Sequence, residues 1–203
     1  MRERADSHGA LLVFDEIQTG FGRTGDWFAA GTYGVEPDVM TMAKAIGGGF
    51  PLSSVGARAD VMASMGPGDH GSTFGGNPVS CAAAIAGIDA MAAEDLPAHA
   101  GRLGAAAMER LTGLSERFPQ LRVRGLGLMI GIEIVDADTR APLPHVATAV
   151  RERALADGVL LIASGPEANV IRVLPPLVIT DRELDFGLGV IETACAEALG
   201  ASA

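Results

Sequence analysis

The chain has 203 residues, of which 48% are hydrophobic and 20% charged, a composition typical of a folded globular protein. Its formal net charge of −10 argues against binding to nucleic acid or to an anionic membrane. The two cysteines and four histidines are scattered, so no metal site is predicted, and the polar N-terminus and the lack of a long apolar run predict a cytoplasmic protein.

In chain order, the first half alternates short strands and helices. ALLVFD at residues 10–15 is an apolar run closed by a carboxylate, which predicts a buried strand of a parallel sheet. After a glycine-rich loop, VMTMAK predicts a second strand that ends at Lys44. SSVGARADVM predicts a strand that leads into a helix, and Asn77 and Pro78 then open an alanine-rich helix.

The pattern changes near residue 120, after a second predicted helix over about residues 98–118. LRVRGLGLMIGIEIVD predicts two strands or one bent strand, HVATAVRERALADG an amphipathic helix, and VLLIAS and NVIRVLPP two further strands. Thr180 and Glu183 have the spacing of a capping box and predict the start of the closing helix. We therefore predict an α/β domain with a mostly parallel sheet over residues 1–98 and a smaller α+β domain over residues 99–203.

Two polar side chains stand at the ends of predicted strands in the first half. Asp15 lies where open α/β sheets place their ligand contacts, although an aspartate there could equally cap a turn. Lys44 follows an apolar stretch, and an amine in apolar surroundings suits the formation of a Schiff base. The alternative for Lys44 is an ordinary surface lysine, so neither residue decides the function alone.

Four longer motifs occur in the order VFDEIQTGFGRTG, PDVMTMAKAIGGGFP, HGSTFGGNP and VIRVLPPL. Together they resemble the class III aminotransferases, which have the fold type I of pyridoxal 5′-phosphate (PLP) enzymes. The stretch from Gly158 to Glu192 is similar to bacterial 4-aminobutyrate aminotransferases, but the ornithine and acetylornithine enzymes share much of this pattern. The resemblance covers essentially the whole chain.

The resemblance implies roles for five residues, two of them in the first motif and one in each of the other three. Lys44 would form the Schiff base with the cofactor and then move the substrate proton, and Asp15 would pair with the pyridine nitrogen. Gln18 would contact the ring hydroxyl, and Thr73 the cofactor phosphate across a dimer interface. Arg172 would hold a substrate carboxylate through its planar guanidinium.

The resemblance further implies transamination of an ω-amino acid, 4-aminobutyrate, with 2-oxoglutarate as acceptor, by a homodimer or larger oligomer. An acetylornithine or ornithine type of donor, another class III aminotransferase, and a decarboxylase or racemase of the same family stay open. Family members are much longer, and the part that precedes Asp15 supplies their phosphate-binding loop. The chain as given is therefore expected to lack a complete cofactor pocket, and a non-catalytic fragment stays open as well.

Overall fold

The computed structural model describes residues 1–200 of the chain. It divides into two compact units, Met1–Ala98 (unit 1) and His99–Ala203 (unit 2). Among the described residues, no helix is both long and apolar enough to cross a membrane, and no group of three or more potential metal ligands occurs.

Unit 1 carries a three-stranded sheet in the order β1-β2-β3. Its elements are α1 (Arg2–Ser7), β1 (Val13–Asp15), α2 (Ala29–Tyr33), β2 (Val39–Met42), a 3₁₀ helix (Lys44–Gly47), β3 (Ser54–Ala57), α3 (Ala59–Met62) and α4 (Pro78–Ala93). Asn77 caps α4 by accepting a hydrogen bond from the Ser80 amide, as the Asn-Pro pair predicts.

The sheet of unit 1 is mixed. β1 pairs with β2 in parallel, with Asp15 opposite Thr41, whereas β2 pairs with β3 in antiparallel register. The α/β fold class is confirmed, but a parallel arrangement holds only for the first pair. The expectation that β1 is a buried strand is wrong, because Val13 of β1 is 54% exposed. Val55 of β3 is similarly exposed, at 58%. A central parallel strand would be covered on both faces, and in residues 1–200 these outward side chains are not.

A buried carboxylate ties together the amino ends of β1 and β2 and the carboxyl end of β3. Asp38, just before β2, is 3% exposed and accepts hydrogen bonds from the Leu12 amide at 2.7 Å, Arg2 Nη1 at 2.7 Å and Arg58 Nη1 at 2.5 Å. The backbone donor from Leu12, followed by the Arg2 guanidinium, lowers the pKa of Asp38. α1, β1 and the turn after β3 are thus held to β2 by one side chain.

Unit 2 contains a four-stranded antiparallel sheet in the order β4-β5-β7-β6, packed with three helices. The elements are α5 (Leu96–Arg117), which begins three residues before the boundary between the units, β4 (Leu121–Leu126), β5 (Met129–Ile134), α6 (Pro144–Ala156), β6 (Ile162–Ser164), β7 (Val170–Val173) and α7 (Asp181–Ala198). The two-strand interpretation of LRVRGLGLMIGIEIVD is therefore confirmed, as is the α+β character of this part. The capping box is confirmed too, since Thr180 and Glu183 exchange hydrogen bonds at the start of α7.

The core of unit 2 is apolar and closely packed. Ile132 and Ile134 of β5, Ile171 of β7 and Val150 of α6 are all 0% exposed, as the alternation along the strands requires. α5 is held to α7 at its outer side by Arg110, whose Nε donates to Glu192 at 2.6 Å. This unit therefore encloses a complete hydrophobic core within its own residues.

Candidate active site

The carboxyl ends of β1 and β2 bring two of the predicted site residues to one edge of the unit 1 sheet. Asp15 is the last residue of β1, and Lys44 follows the end of β2 by two positions. Because β1 and β2 are parallel neighbours, both residues leave the sheet in the same direction. Gln18 lies in the loop that starts directly after Asp15, so it begins at the same edge.

The Asp15 carboxylate has one occupied oxygen and one open oxygen. Its Oδ1 accepts hydrogen bonds from the Ile17 amide at 3.0 Å and from the Thr41 hydroxyl at 3.1 Å. Its Oδ2 accepts none from the residues that the structure describes, and the side chain is exposed. The two donors on Oδ1 fix the plane of the carboxylate and leave Oδ2 as an acceptor for a ligand N–H.

Lys44 departs from the sequence expectation in two respects. β2 ends at Met42 and not at Lys44, because Lys44 has the left-handed φ of 51° and starts the 3₁₀ helix. Its side chain is exposed, so the predicted apolar surroundings are absent from residues 1–200. A left-handed conformation is unfavourable for a residue with a Cβ atom, and such residues are often found at functional sites. The backbone turn separates the Lys44 side chain from the line of the β2 side chains.

Gln18 is half-buried, and its side-chain amide has no hydrogen-bond partner among residues 1–200. An amide in this state can donate to, or accept from, a ligand that lies against Asp15. Glu16, two residues earlier, is only 1% exposed and is fully engaged with the protein. Glu16 directly follows β1 and its amide still bonds to Thr41 of β2, so the alternation of the strand continues and places Asp15 and Glu16 on opposite faces.

Thr73 lies in the exposed loop between α3 and α4. Within this loop the Ser72 hydroxyl accepts a hydrogen bond from the Gly75 amide at 3.1 Å, which closes a tight turn around Thr73. No hydrogen bond joins Thr73 to Asp15, Gln18 or Lys44 in the part of the chain that the structure describes. Its predicted contact with a phosphate across a dimer interface stays a prediction.

Arg172 belongs to unit 2, where it stands in the middle of β7 between Gly131 of β5 and Ile162 of β6. It is half-buried, and its guanidinium has no hydrogen-bond partner within residues 1–200. It lines a groove of about 350 Å³ whose other walls are mostly apolar, among them Leu174 and Phe186. A guanidinium with unused donors beside apolar walls suits a carboxylate attached to a hydrocarbon chain.

The residues at the unit 1 edge fit the ring end of PLP. Asp15 Oδ2 offers the acceptor that a protonated pyridine nitrogen needs, Gln18 offers an amide for the ring hydroxyl, and Lys44 offers a primary amine for the aldehyde. Lys44 is also the chain's only lysine beside 14 arginines. A guanidinium stays protonated and cannot act as a nucleophile, so arginine could not replace an amine that forms a Schiff base. The one lysine of the chain therefore lies at the position where such an amine is needed.

Two residues that complete this edge were missed by reasoning from the sequence. Thr41 looked like an ordinary strand residue, and only the register of β1 with β2 shows that its hydroxyl reaches Asp15. Glu16 lay inside the DEIQTG motif without a role. The alternation of side chains after Asp15 was the available signal for Glu16, because it places a carboxylate on the inward face, where it needs donors.

Comparison with known proteins shows the family of the chain. The family model described as aminotransferase class-III matches residues 1–195. The chain is 46% identical over 194 residues to an acetylornithine aminotransferase of Methanosarcina mazei, covering 96% of this chain and 46% of that protein. It is 41% identical over 200 residues to a 4-aminobutyrate aminotransferase of Escherichia coli, covering 98% and 47%.

A solved structure, the ornithine aminotransferase of Toxoplasma gondii, superimposes with a TM-score of 0.86 at 36% identity, covering 97% of this chain and 45% of the other. The chain thus spans less than half the length of each of these three proteins. Since the family model extends over nearly all of its residues, the chain belongs to the class III aminotransferase family.

Proposed function

We propose that this chain supplies the ring-binding edge and the lysine of a PLP-dependent aminotransferase. The observation that carries the proposal is the open Oδ2 of Asp15 at the end of β1. β1 lies parallel to and next to β2, the strand that Lys44 follows. When bound, PLP supplies a protonated ring that stabilises negative charge on the substrate carbon. Asp15 would hold the ring nitrogen protonated, Gln18 would orient the ring, and the Lys44 amine would bind the aldehyde and carry the substrate proton.

The substrate class follows from Arg172 and from the names of the relatives. A carboxylate held by Arg172 beside an apolar wall fits an amino donor that has its carboxylate at the end of a hydrocarbon chain, and also fits 2-oxoglutarate. Of the three proteins compared above, one is named for acetylornithine, one for 4-aminobutyrate and one for ornithine. We therefore propose an ω-amino acid as donor, and these relatives favour an acetylornithine type at least as strongly as 4-aminobutyrate.

Covalent labelling tests the proposed role of Lys44. Chain 1–203 is incubated with PLP and then treated with borohydride, and the modified peptide is located by mass spectrometry. Since Lys44 is the only lysine, the N-terminal amine is the only other site of reaction, and it serves as an internal reference. We expect label on Lys44 in excess over Met1, and no label in that peptide after Lys44→Ala.

The Asp15 role is tested by the PLP concentration that gives half-maximal labelling. Asp15→Asn replaces a charged acceptor, so it is expected to raise this concentration about tenfold or more. Asp89→Asn, at an exposed position of α4, is the matched control and is expected to change nothing. Equal labelling of Lys44 and Met1 in the unmodified chain would contradict the proposed site and favour a non-catalytic fragment.

The donor and the role of Arg172 are tested in a protein that contains both halves of the enzyme. Glutamate formation from 2-oxoglutarate is measured with N-acetylornithine, ornithine and 4-aminobutyrate in turn. Arg172→Ala is expected to raise the KM for the preferred donor and for 2-oxoglutarate alike, whereas Arg124→Ala, at an exposed position of β4, is not. A KM that stays unchanged for both substrates would remove Arg172 from the substrate site. The dimeric assembly and the cytoplasmic location stay predictions.

A further inference from the structure

We infer that Glu16 is a positioning residue. Its buried carboxylate would hold the loop that carries Gln18 and so fix the direction in which the Gln18 side-chain amide meets the PLP ring beside Asp15. Glu16 is 1% exposed, one of the most enclosed side chains in unit 1. A carboxylate that is buried to this degree is costly unless donors surround it. The identity and position of its donors therefore show what Glu16 does, and the part of the inference that concerns the ring rests on the proposed function.

The donors to Glu16 come from the far end of the loop that it begins. Its Oε1 accepts the Ala30 amide at 2.8 Å, and its Oε2 accepts the Ala29 amide at 3.1 Å. These amides open the short helix α2, so the carboxylate binds N–H groups that no helical carbonyl can reach. The Glu16 backbone amide also donates to the Thr41 carbonyl at 2.9 Å, which fixes Glu16 to β2. One residue thus joins the sheet to the start of α2.

The loop between these anchors has little freedom close to Glu16. The Gly20 amide donates to the Glu16 carbonyl at 3.0 Å, and a Cβ atom on Gly20 would come within 2.8 Å of that same oxygen. Further along, the rings of Phe21 and Phe28 pack edge to face with centroids 5.3 Å apart. The first turn of the loop is therefore closed by its own backbone and by an aromatic pair.

Gln18 lies inside this closed turn, between Glu16, which carries the buried carboxylate, and Thr19, which contacts it. Glu16 precedes it by two positions, and Thr19, which follows it, donates its hydroxyl to Glu16 Oε2. The backbone at Gln18 cannot rotate without breaking a contact on one side. Since the Gln18 amide has no partner of its own within residues 1–200, its direction depends on this clamp.

Replacing Glu16 by glutamine tests the clamp with almost no change of volume. In the glutamine, one carboxylate oxygen becomes an NH₂ group, which donates hydrogen bonds and does not accept them. If the remaining oxygen keeps its contacts with the Ala29 amide and the Thr19 hydroxyl, the NH₂ group faces the Ala30 amide. Two donors that face each other in a buried site repel, and the loop is expected to open there. Glu36→Gln, at an exposed position just before β2, is the matched control.

The first measurement is amide hydrogen exchange by NMR in chain 1–203. In Glu16→Gln, exchange of the Gly20, Ala29 and Ala30 amides is expected to accelerate about tenfold or more, whereas β5 and β7 amides are unchanged. The Gln18 side-chain amide signals are expected to move as well. Unchanged exchange and unchanged Gln18 signals would overturn the inference. If Glu16→Gln also accelerates exchange throughout unit 1, Ala29→Pro replaces it as the decisive variant.

Ala29→Pro keeps the charge of Glu16 but removes one of its donors, and the ring Cδ takes the place of the amide hydrogen, so the carboxylate has to move away from the start of α2. Proline is suited to the first position of a helix, and Phe28 before it is already extended, with φ −140° and ψ 146°. The Gln18 side-chain signals are expected to move in this variant too. If they stay in place while the Ala30 amide responds, Glu16 acts on α2 alone and the positioning role is wrong.

The second measurement is the visible absorption band with PLP of a protein that contains both halves of the enzyme, in a cycle of Glu16→Gln, Gln18→Ala and the double variant. If Glu16 acts through Gln18, the shift of the band caused by Glu16→Gln is lost in the Gln18→Ala background. An equal shift in both backgrounds would overturn the inference. If the unmodified protein with both halves shows no band, the proposed function fails, and the Gln18 signals of the first measurement decide the role of Glu16 alone.

Discussion

The two units of the chain are similar in length, but they bury different kinds of side chain. The apolar cluster that runs from Ala100 to Cys195 lies wholly in unit 2. In unit 1 the buried side chains are as often polar as apolar, and Glu16 and Asp38 are the most extensively hydrogen-bonded of them. Large apolar residues such as Val13 and Ile85 stay exposed there. Unit 2 is therefore held by burial of hydrocarbon, and unit 1 by a few polar side chains.

This difference matters for the site because the proposed ring-binding residues all belong to unit 1. Hydrogen-bonded polar clamps fix direction well, since each contact has a preferred geometry, whereas apolar contacts are non-directional. A ring-binding edge needs defined directions for Asp15 and Gln18, and Thr41 and Glu16 provide them. Such an edge contributes little hydrophobic stabilisation of its own, so we expect unit 1 to be the less stable part.

The largest predicted effect separates the two units by a matched pair of isoleucines. Ile132, fully buried in β5, should cost about 2–5 kcal/mol of unfolding free energy when it is truncated to alanine. Ile85, 64% exposed on α4, should cost less than about 0.5 kcal/mol, because little surface is lost and alanine favours the helix. Urea unfolding measures both, with fluorescence of the single tryptophan, Trp27, as the probe of unit 1 and far-UV circular dichroism for the whole chain.

The same experiment can break the comparison. If Ile132→Ala leaves the Trp27 transition where it was and moves only the circular dichroism transition, the two units unfold separately. If Ile132→Ala and Ile85→Ala lower the free energy of unfolding by comparable amounts, the exposed face of α4 is covered in solution. The two units would then not differ in how they bury apolar side chains.

The next effect concerns the polar tie at Asp38. Asp38→Asn should destabilise unit 1 at neutral pH, because an amide cannot accept from Leu12, Arg2 and Arg58 at once. The folded-state pKa of Asp38 is lowered, so its contribution is present above the unfolded pKa near 4 and is lost as the pH falls through the lower folded value. The difference between the unmodified chain and Asp38→Asn should therefore shrink below about pH 4.

Asp60 supplies the control for this pH dependence. It also pairs with Arg58, but its side chain is 68% exposed, so Asp60→Asn should have a smaller effect on the Trp27 transition at pH 7. A stability difference for Asp38→Asn that is independent of pH would show that the loss comes from packing and not from the charge. An effect of Asp60→Asn as large as that of Asp38→Asn would remove burial as the reason.

The sequence predicts unit 2 better than unit 1. In unit 2 the alternation in MIGIEI and the Thr180–Glu183 spacing are local signals, and the strands and the capping box that they predict are present. In unit 1 the motifs place Asp15 and Lys44 at the strand ends, but the Thr41 hydroxyl reaches Asp15 only through strand register, and Glu16 finds its donors 13 and 14 residues away. Contacts between distant segments leave no periodic pattern, which is why the clamps were not predicted.

The smallest predicted effect concerns the backbone at Lys44. With φ at 51°, a residue that has a Cβ atom is strained, so Lys44→Gly should be more stable than Lys44→Ala by about 1 kcal/mol. Both variants lack the amine, so the comparison isolates the backbone from the chemistry. The Trp27 transition in urea measures the difference.

Ala45, the next residue of the 3₁₀ helix, has no positive φ, so Ala45→Gly should lower stability by roughly 0.5–1 kcal/mol. The sign of the glycine effect is therefore expected to reverse between two adjacent positions. If Lys44→Gly and Lys44→Ala are equally stable, the left-handed turn relaxes once the lysine is gone, and the fold does not impose it. If the sign reverses as expected, the fold of unit 1 imposes the strained backbone conformation on Lys44. It does so with hydrogen-bonded polar side chains and few buried apolar ones, and this is how the difference between the units affects the proposed chemistry.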